Sequence, residues 1–191
     1  MRKLKLQAQI SIDGYVAGPN GEMNWMMWNM DDKLKAHILE LNDPVGAILL
    51  GRKMTDGFIT HWESVVTKPS DPQFALARKM VETPKVVFTR TLEKSPWKNT
   101  VLANGNLSTE INKLKKQEGG TDIIVYGGAG FVSSLIQEGL VDEYHLFVNP
   151  TAIGKGMSIF SDLKEPRKFT MKKATSFACG VVVLQYEPAN G

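Results

Sequence analysis

Residues 122–131 read Asp-Ile-Ile-Val-Tyr-Gly-Gly-Ala-Gly-Phe, and this stretch indicates the fold more clearly than any other. Its first five residues are a short, largely apolar run typical of a buried strand. The three glycines within 127–130 predict a tight turn that leads directly into a helix over Phe131–Glu138. A strand followed at once by a helix is the repeating unit of a parallel α/β sheet.

The same pattern recurs toward the N-terminus. Residues 3–12 alternate between polar and apolar side chains, which predicts a strand with one wetter face. Residues 45–50 are a continuous apolar run, typical of a strand covered on both faces, and a helix is predicted to start near Arg52. Lys85–Thr89 is a further short strand. These strands therefore predict a sheet that is mostly parallel.

Helices are predicted between these strands from apolar periodicity and from capping residues. One begins at Asp31 or Asp32, one runs from Pro72 to about Val81, and one is capped by Ser108.

The C-terminal part of the chain has a different pattern. Glu143–Val148 predicts one more strand, and residues 168–175 and 179–186 are β-rich runs that predict an antiparallel hairpin. No repeat or linker divides the chain. We therefore expect a single α/β domain over residues 1–191, with a three-layer α/β/α architecture and a mostly parallel central sheet that ends in a C-terminal antiparallel hairpin.

Composition excludes several classes of function. Lys and Arg total 23 against 20 Asp and Glu, so the net charge of +3 does not point to nucleic acid or an anionic membrane. One cysteine and three scattered histidines predict no metal site. The longest apolar runs, about six residues, are far shorter than the roughly 20 that a membrane helix needs. Without a signal-peptide pattern, a cytoplasmic protein is expected.

Three strand ends carry residues suited to a phosphorylated ligand, and such ligands bind at the carboxyl ends of strands in open α/β sheets. Gly127–Gly130 would let backbone N–H groups approach a phosphate at a helix N-terminus, unless the glycines only form the turn. Arg52 and Lys53 could hold a phosphate or simply begin a solvated helix. Thr89-Arg90-Thr91 offers hydroxyl and guanidinium donors. Together they favour a large ligand with several phosphates.

Residues 13–30 form a long loop without clear periodicity, and long loops in compact domains are often functional. The aromatic side chains of Tyr15, Trp25 and Trp28 suit the walls of a pocket for a flat ring.

These segments, in this order, resemble the dihydrofolate reductase-like superfamily. Within it, the chain is similar to the bacterial group related to the reductase domain of the bifunctional riboflavin-biosynthesis deaminase/reductase. The resemblance covers nearly the whole chain and is carried by four motifs: residues 11–17 (SIDGYVA), 50–58 (LGRKMTDGF), 126–129 (YGGA) and 150–160, which begins PTAIGKG and ends at Phe160.

The resemblance implies NADPH as the cofactor and a homodimer. It implies that Arg52 and Lys53 lie near the 2′-phosphate, that the pyrophosphate is held across a cis Gly127–Gly128 bond, and that Ala8 and the 13–18 loop face the nicotinamide. The full set of cofactor-binding residues that it implies is Ala8, Gly51, Arg52, Lys53, Thr55, Thr89, Arg90, Thr91, Gly127, Gly128, Ala129, Gly130 and Phe131.

For catalysis the resemblance points to three carboxylates. Asp31 and Asp32 lie near the position of the pterin-binding carboxylate of dihydrofolate reductase, although the spacing differs by about a residue, and they could equally serve as helix N-caps. Asp13 lies in the segment that is close to substrate in the riboflavin enzyme, or it is a turn former before Gly14.

Three functions are therefore compatible with the sequence. The first is NADPH-dependent reduction of a small pterin- or aminopyrimidine-like substrate, of the dihydrofolate reductase or 5-amino-6-(5-phosphoribosylamino)uracil reductase type. The second is a non-catalytic NADP(H)- or nucleotide-binding module of the same fold. The third is an α/β protein that binds another phosphate ligand or none, with its glycines serving only as turns.

Overall fold

A computed structural model describes residues 1–27, 29–119 and 121–189. The elements along the chain are β1 (Leu4–Ile10), α1 (Asp32–Asn42), β2 (Val45–Gly51), α2 (Arg52–Val65), α3 (Phe74–Glu82), β3 (Lys85–Phe88), β4 (Thr100–Ala103), α4 (Leu107–Lys116), β5 (Asp122–Gly127), α5 (Ala129–Gln137), β6 (Glu143–Val148), β7 (Phe169–Ser176) and β8 (Val182–Pro188).

The strands form one sheet in the order β4-β3-β2-β5-β1-β6-β8-β7. All pairings among strands β1 to β6 are parallel. Strand β8 pairs antiparallel with β6, and β7 pairs antiparallel with β8 at the edge of the sheet. This confirms the predicted mostly parallel sheet with a C-terminal antiparallel hairpin. The carboxyl ends of β1 to β6 consequently lie along a single edge of the sheet.

Alternating side chains of the central strands are buried on opposite faces of the sheet. Leu6 of β1 packs in one core with Leu135 of α5, whereas Ile48 of β2 packs in the other with Ile38 of α1 and Phe58 of α2. Burial on both faces accounts for the continuous apolar run over residues 45–50. The three-layer α/β/α prediction is thus confirmed.

Helix α5 begins two residues earlier than the predicted start at Phe131. Gly128 is its N-cap, with extended backbone angles (φ −62°, ψ 165°), and Ala129 and Gly130 already belong to its first turn. Gly127 therefore ends β5, Gly128 caps the helix and Gly130 lies in its first turn, so no separate turn stands between strand and helix.

Strand β4 was not predicted. It has only four residues at the edge of the sheet, and Val101 is 62% exposed, so the segment shows neither the length nor the alternation by which strands are recognised. Helix α3 begins at Phe74 and not at Pro72, because the Asp71 carboxylate accepts a hydrogen bond from Gln73 N (2.8 Å) and holds residues 71–73 in a turn.

The predicted cap of α4 was also wrong. Asn106, and not Ser108, is the N-cap, and its side-chain oxygen accepts a hydrogen bond from Thr109 N at 3.1 Å. Ser108 lies within the first turn and donates to the Glu138 carboxylate. Serine and asparagine are both common N-cap residues, so the sequence alone does not distinguish Ser108 from Asn106, two residues earlier.

We therefore expect Asn106→Ala to lower the free energy of unfolding by about 1 kcal/mol, because a first-turn N–H loses its partner. Ser108→Ala is the control. It removes an exposed side-chain contact and should change stability by no more than about 0.5 kcal/mol. Urea denaturation of the two variants measures both values, and a larger loss in Ser108→Ala would contradict the assignment of the cap.

Candidate active site

The centre of the site is the edge where β2 and β5 end side by side. Leu50 of β2 is paired with Gly127 of β5. A Cβ atom on Gly51 would lie 3.0 Å from Phe131 Cβ and 3.4 Å from Gly128 N. A side chain at Gly51 would therefore crowd the start of α5, and its absence lets the starts of α2 and α5 lie close together.

The N-termini of α2 and α5 both leave backbone donors available. Their N-caps are Gly51 and Gly128, neither helix has a side-chain cap, and neither has an acidic residue in its first turn. The first N–H groups of a helix have no partner within it and carry a partial positive charge. Two such termini side by side suit a phosphate or pyrophosphate group.

The glycines of this turn also leave room for a ligand. The Gly127–Gly128 peptide bond is cis, as the family resemblance implied. No atom lies within 4 Å of the position that a Cβ atom would take on Gly128 or Gly130. A ligand phosphate can consequently approach the backbone closely, and a side chain at either position would occupy that space.

Two cations stand at the start of α2. Arg52 is half-buried, whereas Lys53 is exposed. The Arg52 guanidinium is paired with the Asp56 carboxylate (Nη1–Oδ2 2.9 Å) and lies over the ring of Trp97, 5.1 Å from its centroid. Thr55 is fully buried and its hydroxyl donates to the Gly51 carbonyl at 3.1 Å, so it fixes the N-cap and has no free donor to offer.

The end of β3 contributes the segment from Thr89 to Thr91. Thr89 is buried, and its hydroxyl oxygen accepts hydrogen bonds from Thr91 N (3.2 Å) and Leu92 N (3.3 Å). Thr89 thus orders the turn, while the side chains of Arg90 and Thr91 are exposed and face solvent. Of these three residues, Arg90 and Thr91 are the ones available to a ligand.

Phe131 and Ala8 form part of the supporting core. Phe131 lies in the first turn of α5, and its ring packs on Phe88 at the end of β3 (centroids 4.9 Å apart). Ala8 is buried in β1, in the same core as Leu6, and is paired with Leu146 of β6.

Asp13 is exposed, but hydrogen bonds occupy its carboxylate. It accepts from Ser11 Oγ at 2.6 Å and from Gly154 N at 2.7 Å, with Ile153 N at 3.2 Å. The bond from Ser11, and after it those from Gly154 and Ile153, hold the pKa of the Asp13 carboxyl below its usual value. Asp13 therefore joins the turn after β1 to the loop after β6, which suits a turn former better than a proton donor.

Asp31 is the N-cap of α1. Its carboxylate accepts from Leu34 N (2.9 Å) and Cys179 N (3.0 Å), and these bonds hold the pKa of Asp31 below its usual value. The Asp32 side chain is 97% exposed and forms a surface ion pair with Lys35 at 3.0 Å. The N-capping alternative is thus confirmed for Asp31.

Tyr15 and Trp25, two of the three aromatic residues predicted to wall a pocket, lie among the described residues. Tyr15 is half-buried and packs against the loop after β6, since a Cβ atom on Gly156 would lie 3.1 Å from Tyr15 Cβ. Trp25 is half-buried, and its indole N–H donates to the Glu22 carbonyl at 3.1 Å. Trp28 lies outside the described residues.

Sequence reasoning missed a buried amide pair at the ends of β1 and β6. The Nδ2 of Asn149, which is fully buried, donates to Gln9 Oε1 (2.8 Å) and to the Phe147 carbonyl (3.0 Å), and its Oδ1 accepts from Met27 N (2.9 Å). These contacts fix the loop before α1 to the sheet. They also turn the oxygen of the half-buried Gln9 amide toward Asn149. The sequence feature that could have indicated this pair is Gln9, a polar residue near the carboxyl end of a central strand.

Two further kinds of feature are absent from residues 1–27, 29–119 and 121–189. No helix there is long and apolar enough to cross a membrane. No group of three or more His, Cys, Asp and Glu side chains in those ranges is arranged to hold a metal ion.

The sequence as a whole matches a known family model, the RibD C-terminal domain, over residues 2–183. The chain belongs to the RibD C-terminal domain family. Among curated proteins it is 32% identical over 187 residues to the uncharacterized protein YyaP of Bacillus subtilis (strain 168), and the match covers 97% of this chain and 94% of YyaP.

Solved structures show the same fold. A protein of Shewanella sp. PV-4 named for riboflavin biosynthesis superimposes with a TM-score of 0.73 at 19% identity, over all of both chains. The diaminohydroxyphosphoribosylaminopyrimidine deaminase/5-amino-6-(5-phosphoribosylamino)uracil reductase of Thermotoga maritima superimposes with a TM-score of 0.67 at 20% identity, over 98% of this chain and 57% of that one. The dihydrofolate reductase-like fold expected from the motifs is therefore confirmed.

In this RibD C-terminal domain, the sheet edge has two chemically distinct parts. Around β2, β3 and β5 it offers backbone donors, open space beside Gly128 and Gly130, and the cations Arg52 and Lys53. This donor set fits the phosphates of a dinucleotide. Around β1 and β6 it offers amides and carboxylates, and the carboxylate of Asp13 is already hydrogen-bonded.

Proposed function

We propose that the protein is an NADPH-dependent reductase of a small pterin- or aminopyrimidine-like substrate. The observation that carries the proposal is the pair of uncapped helix N-termini, α2 and α5, side by side with Arg52 and Lys53. Membership of the RibD C-terminal domain family supports it, and so does the reductase named in the Thermotoga maritima relative.

In this proposal the chain binds and orients the cofactor by its backbone. The N–H groups at the start of α5 hold the pyrophosphate, Arg52 and Lys53 hold the 2′-phosphate, and Arg90 and Thr91 line the adenosine side. Thr55 and Thr89 act indirectly, because their hydroxyl groups order Gly51 and the turn after β3. Bound NADPH would supply the hydride.

The substrate half of the site lies at the ends of β1 and β6. Ala8 and the 13–18 segment would lie toward the nicotinamide, and Tyr15 and Trp25 would wall the pocket. The Gln9 amide nitrogen, turned away from Asn149, offers donors for the carbonyl or ring nitrogen of a heterocycle.

The experiment that tests this function is NADPH oxidation followed with a panel of pterins and aminopyrimidines, with and without a 5-phosphoribosyl group. Turnover of at least one member by the wild type is expected, and none by a variant that no longer binds NADPH. NADPH binding without turnover on any of them would favour the non-catalytic module, an alternative supported by the engaged carboxylates of Asp13 and Asp31. The homodimer implied by the resemblance stays a prediction for sedimentation to test.

Asp13→Asn distinguishes proton donation from turn formation. The lowered pKa of Asp13 keeps its carboxyl ionised near neutral pH, so we expect Asp13 to act by ordering the turn. The variant should have a lower melting temperature and a raised KM for substrate, with an unchanged shape of the kcat–pH profile. Loss of a limb of that profile in a folded variant would instead assign the proton to Asp13.

A further inference from the structure

Trp97, Asp56 and Arg52 form a closed ring of contacts at the start of α2. Asp56 lies one turn after Arg52 on the helix and accepts from it at 2.9 Å through Oδ2. The other carboxylate oxygen, Oδ1, accepts from the indole N–H of Trp97 at 3.0 Å. The guanidinium of Arg52 lies over the indole ring of Trp97, with its carbon Cζ 5.1 Å from the ring centroid.

The contacts among Arg52, Asp56 and Trp97 join two separate segments of the chain. Arg52 and Asp56 belong to α2, whereas Trp97 comes from the connection between β3 and β4, the same connection that carries Arg90 and Thr91. Hydrogen bonds first from Arg52 and then from Trp97 hold the pKa of Asp56 below its usual value, so the carboxylate is charged and keeps both partners.

We propose that Trp97 is a positioning residue that holds the Arg52 guanidinium for the 2′-phosphate and thereby sets the preference for NADPH over NADH. The inference rests on the proposed function. An arginine side chain has many rotamers, and ordering it on binding costs entropy. The contact with Trp97 removes part of that cost before the ligand arrives, because the guanidinium already lies over the indole ring and is already bound to Asp56.

Lys53 provides the contrast within the same helix turn. Its side chain is exposed, and the described residues give it no ion pair or hydrogen bond. Lys53 can therefore add charge near a phosphate, but it lacks the planar group that the guanidinium of Arg52 offers and the partners that hold that guanidinium in place. Discrimination between two dinucleotides that differ by one phosphate should accordingly depend on the position of Arg52.

The test is a set of fluorescence titrations with NADPH and NADH, from which the ratio of the two Kd values is taken. Trp97→Leu should reduce the preference for NADPH about fivefold, as expected for one exposed cation–π contact. Trp97→Phe keeps a ring under the guanidinium and should stay within about twofold of the wild-type ratio. Trp62→Leu, which removes a half-buried tryptophan of α2 that packs on Phe58, should leave the ratio unchanged. Trp97→Met is a second variant without the ring, should Trp97→Leu fail to fold.

Combination with Arg52→Ala tests whether Trp97 acts through Arg52. In that background Trp97→Leu should have no further effect on the ratio. A persisting effect would mean that Trp97 contacts the ligand itself, and would overturn the positioning role. A wild-type preference for NADPH that is unaltered in folded Trp97→Leu would overturn this inference alone, whereas a wild type that binds neither dinucleotide would overturn the proposed function with it.

Discussion

Gly130→Asp should weaken NADPH binding by at least about thirtyfold while leaving the protein as stable as the wild type or more stable. Gly130 lies in the first turn of α5, and no atom lies within 4 Å of the position that its Cβ would take, so the new side chain fits. A carboxylate at a helix N-terminus stabilises the helix by about 0.3–1 kcal/mol. The same carboxylate would repel a pyrophosphate, because like charges in contact cost several kcal/mol. A loss of only about 2 kcal/mol of binding free energy already raises the Kd about thirtyfold.

Gly130→Asn is the matched control, since asparagine has the size of aspartate without the charge. Its side chain occupies the same space, so it should also lose affinity, and the additional loss in Gly130→Asp reports the effect of the charge. Cofactor fluorescence measures the Kd of each variant, and thermal melting measures stability. If Gly130→Asp binds NADPH with the wild-type affinity, the pyrophosphate does not bind at the start of α5.

Arg52→Ala should abolish most of the preference for NADPH over NADH. A lost charge-assisted hydrogen bond costs about 1.5–3 kcal/mol, or roughly 10- to 150-fold in Kd. The affinity for NADH, which lacks the 2′-phosphate, should change little. Arg52→Lys keeps the charge but loses the planar fork and the guanidinium contact with the Trp97 ring, so it should fall between the wild type and Arg52→Ala.

The pH dependence of that preference is a further check on the same residue. A phosphate monoester loses part of its charge below about pH 6, and the advantage of NADPH in the wild type should decline there. In Arg52→Ala the decline should be smaller, because the main partner of the phosphate is gone. Equal losses of NADPH and NADH affinity in Arg52→Ala would show that Arg52 contacts a part common to both.

The fold could be predicted from the sequence because its strands are buried on both faces. The runs over residues 45–50 and 122–126 are apolar enough to be recognised alone, and the glycines that follow mark the turns. The short β4 could not be predicted, since an exposed edge strand needs no apolar pattern. The cap of α4 was misplaced because Asn106 and Ser108 both have the chemistry of a cap, and the backbone decides between them.

The candidate site likewise has a part that could be predicted from the sequence and a part that could not. Phosphate-binding features are local in sequence, as in Gly127–Gly130 and the Arg52–Lys53 pair, and could be recognised there. The contacts of Asp13 with Gly154, and of Trp97 with Arg52, join segments far apart in the chain, and no local pattern announces them. The substrate half depends on such contacts, so the sequence offered candidates for it without their geometry.

Titration of the wild-type protein with NADPH and with NADH, followed by cofactor fluorescence, tests the central claim most directly. The account predicts saturable binding of NADPH and clearly weaker binding of NADH, because α2 and α5 supply the pyrophosphate site and Arg52 with Lys53 supplies the additional charge. No binding of either dinucleotide would contradict it. The glycines at 127–130 would then be a structural turn, and the uncapped helix starts would have to serve some other anion.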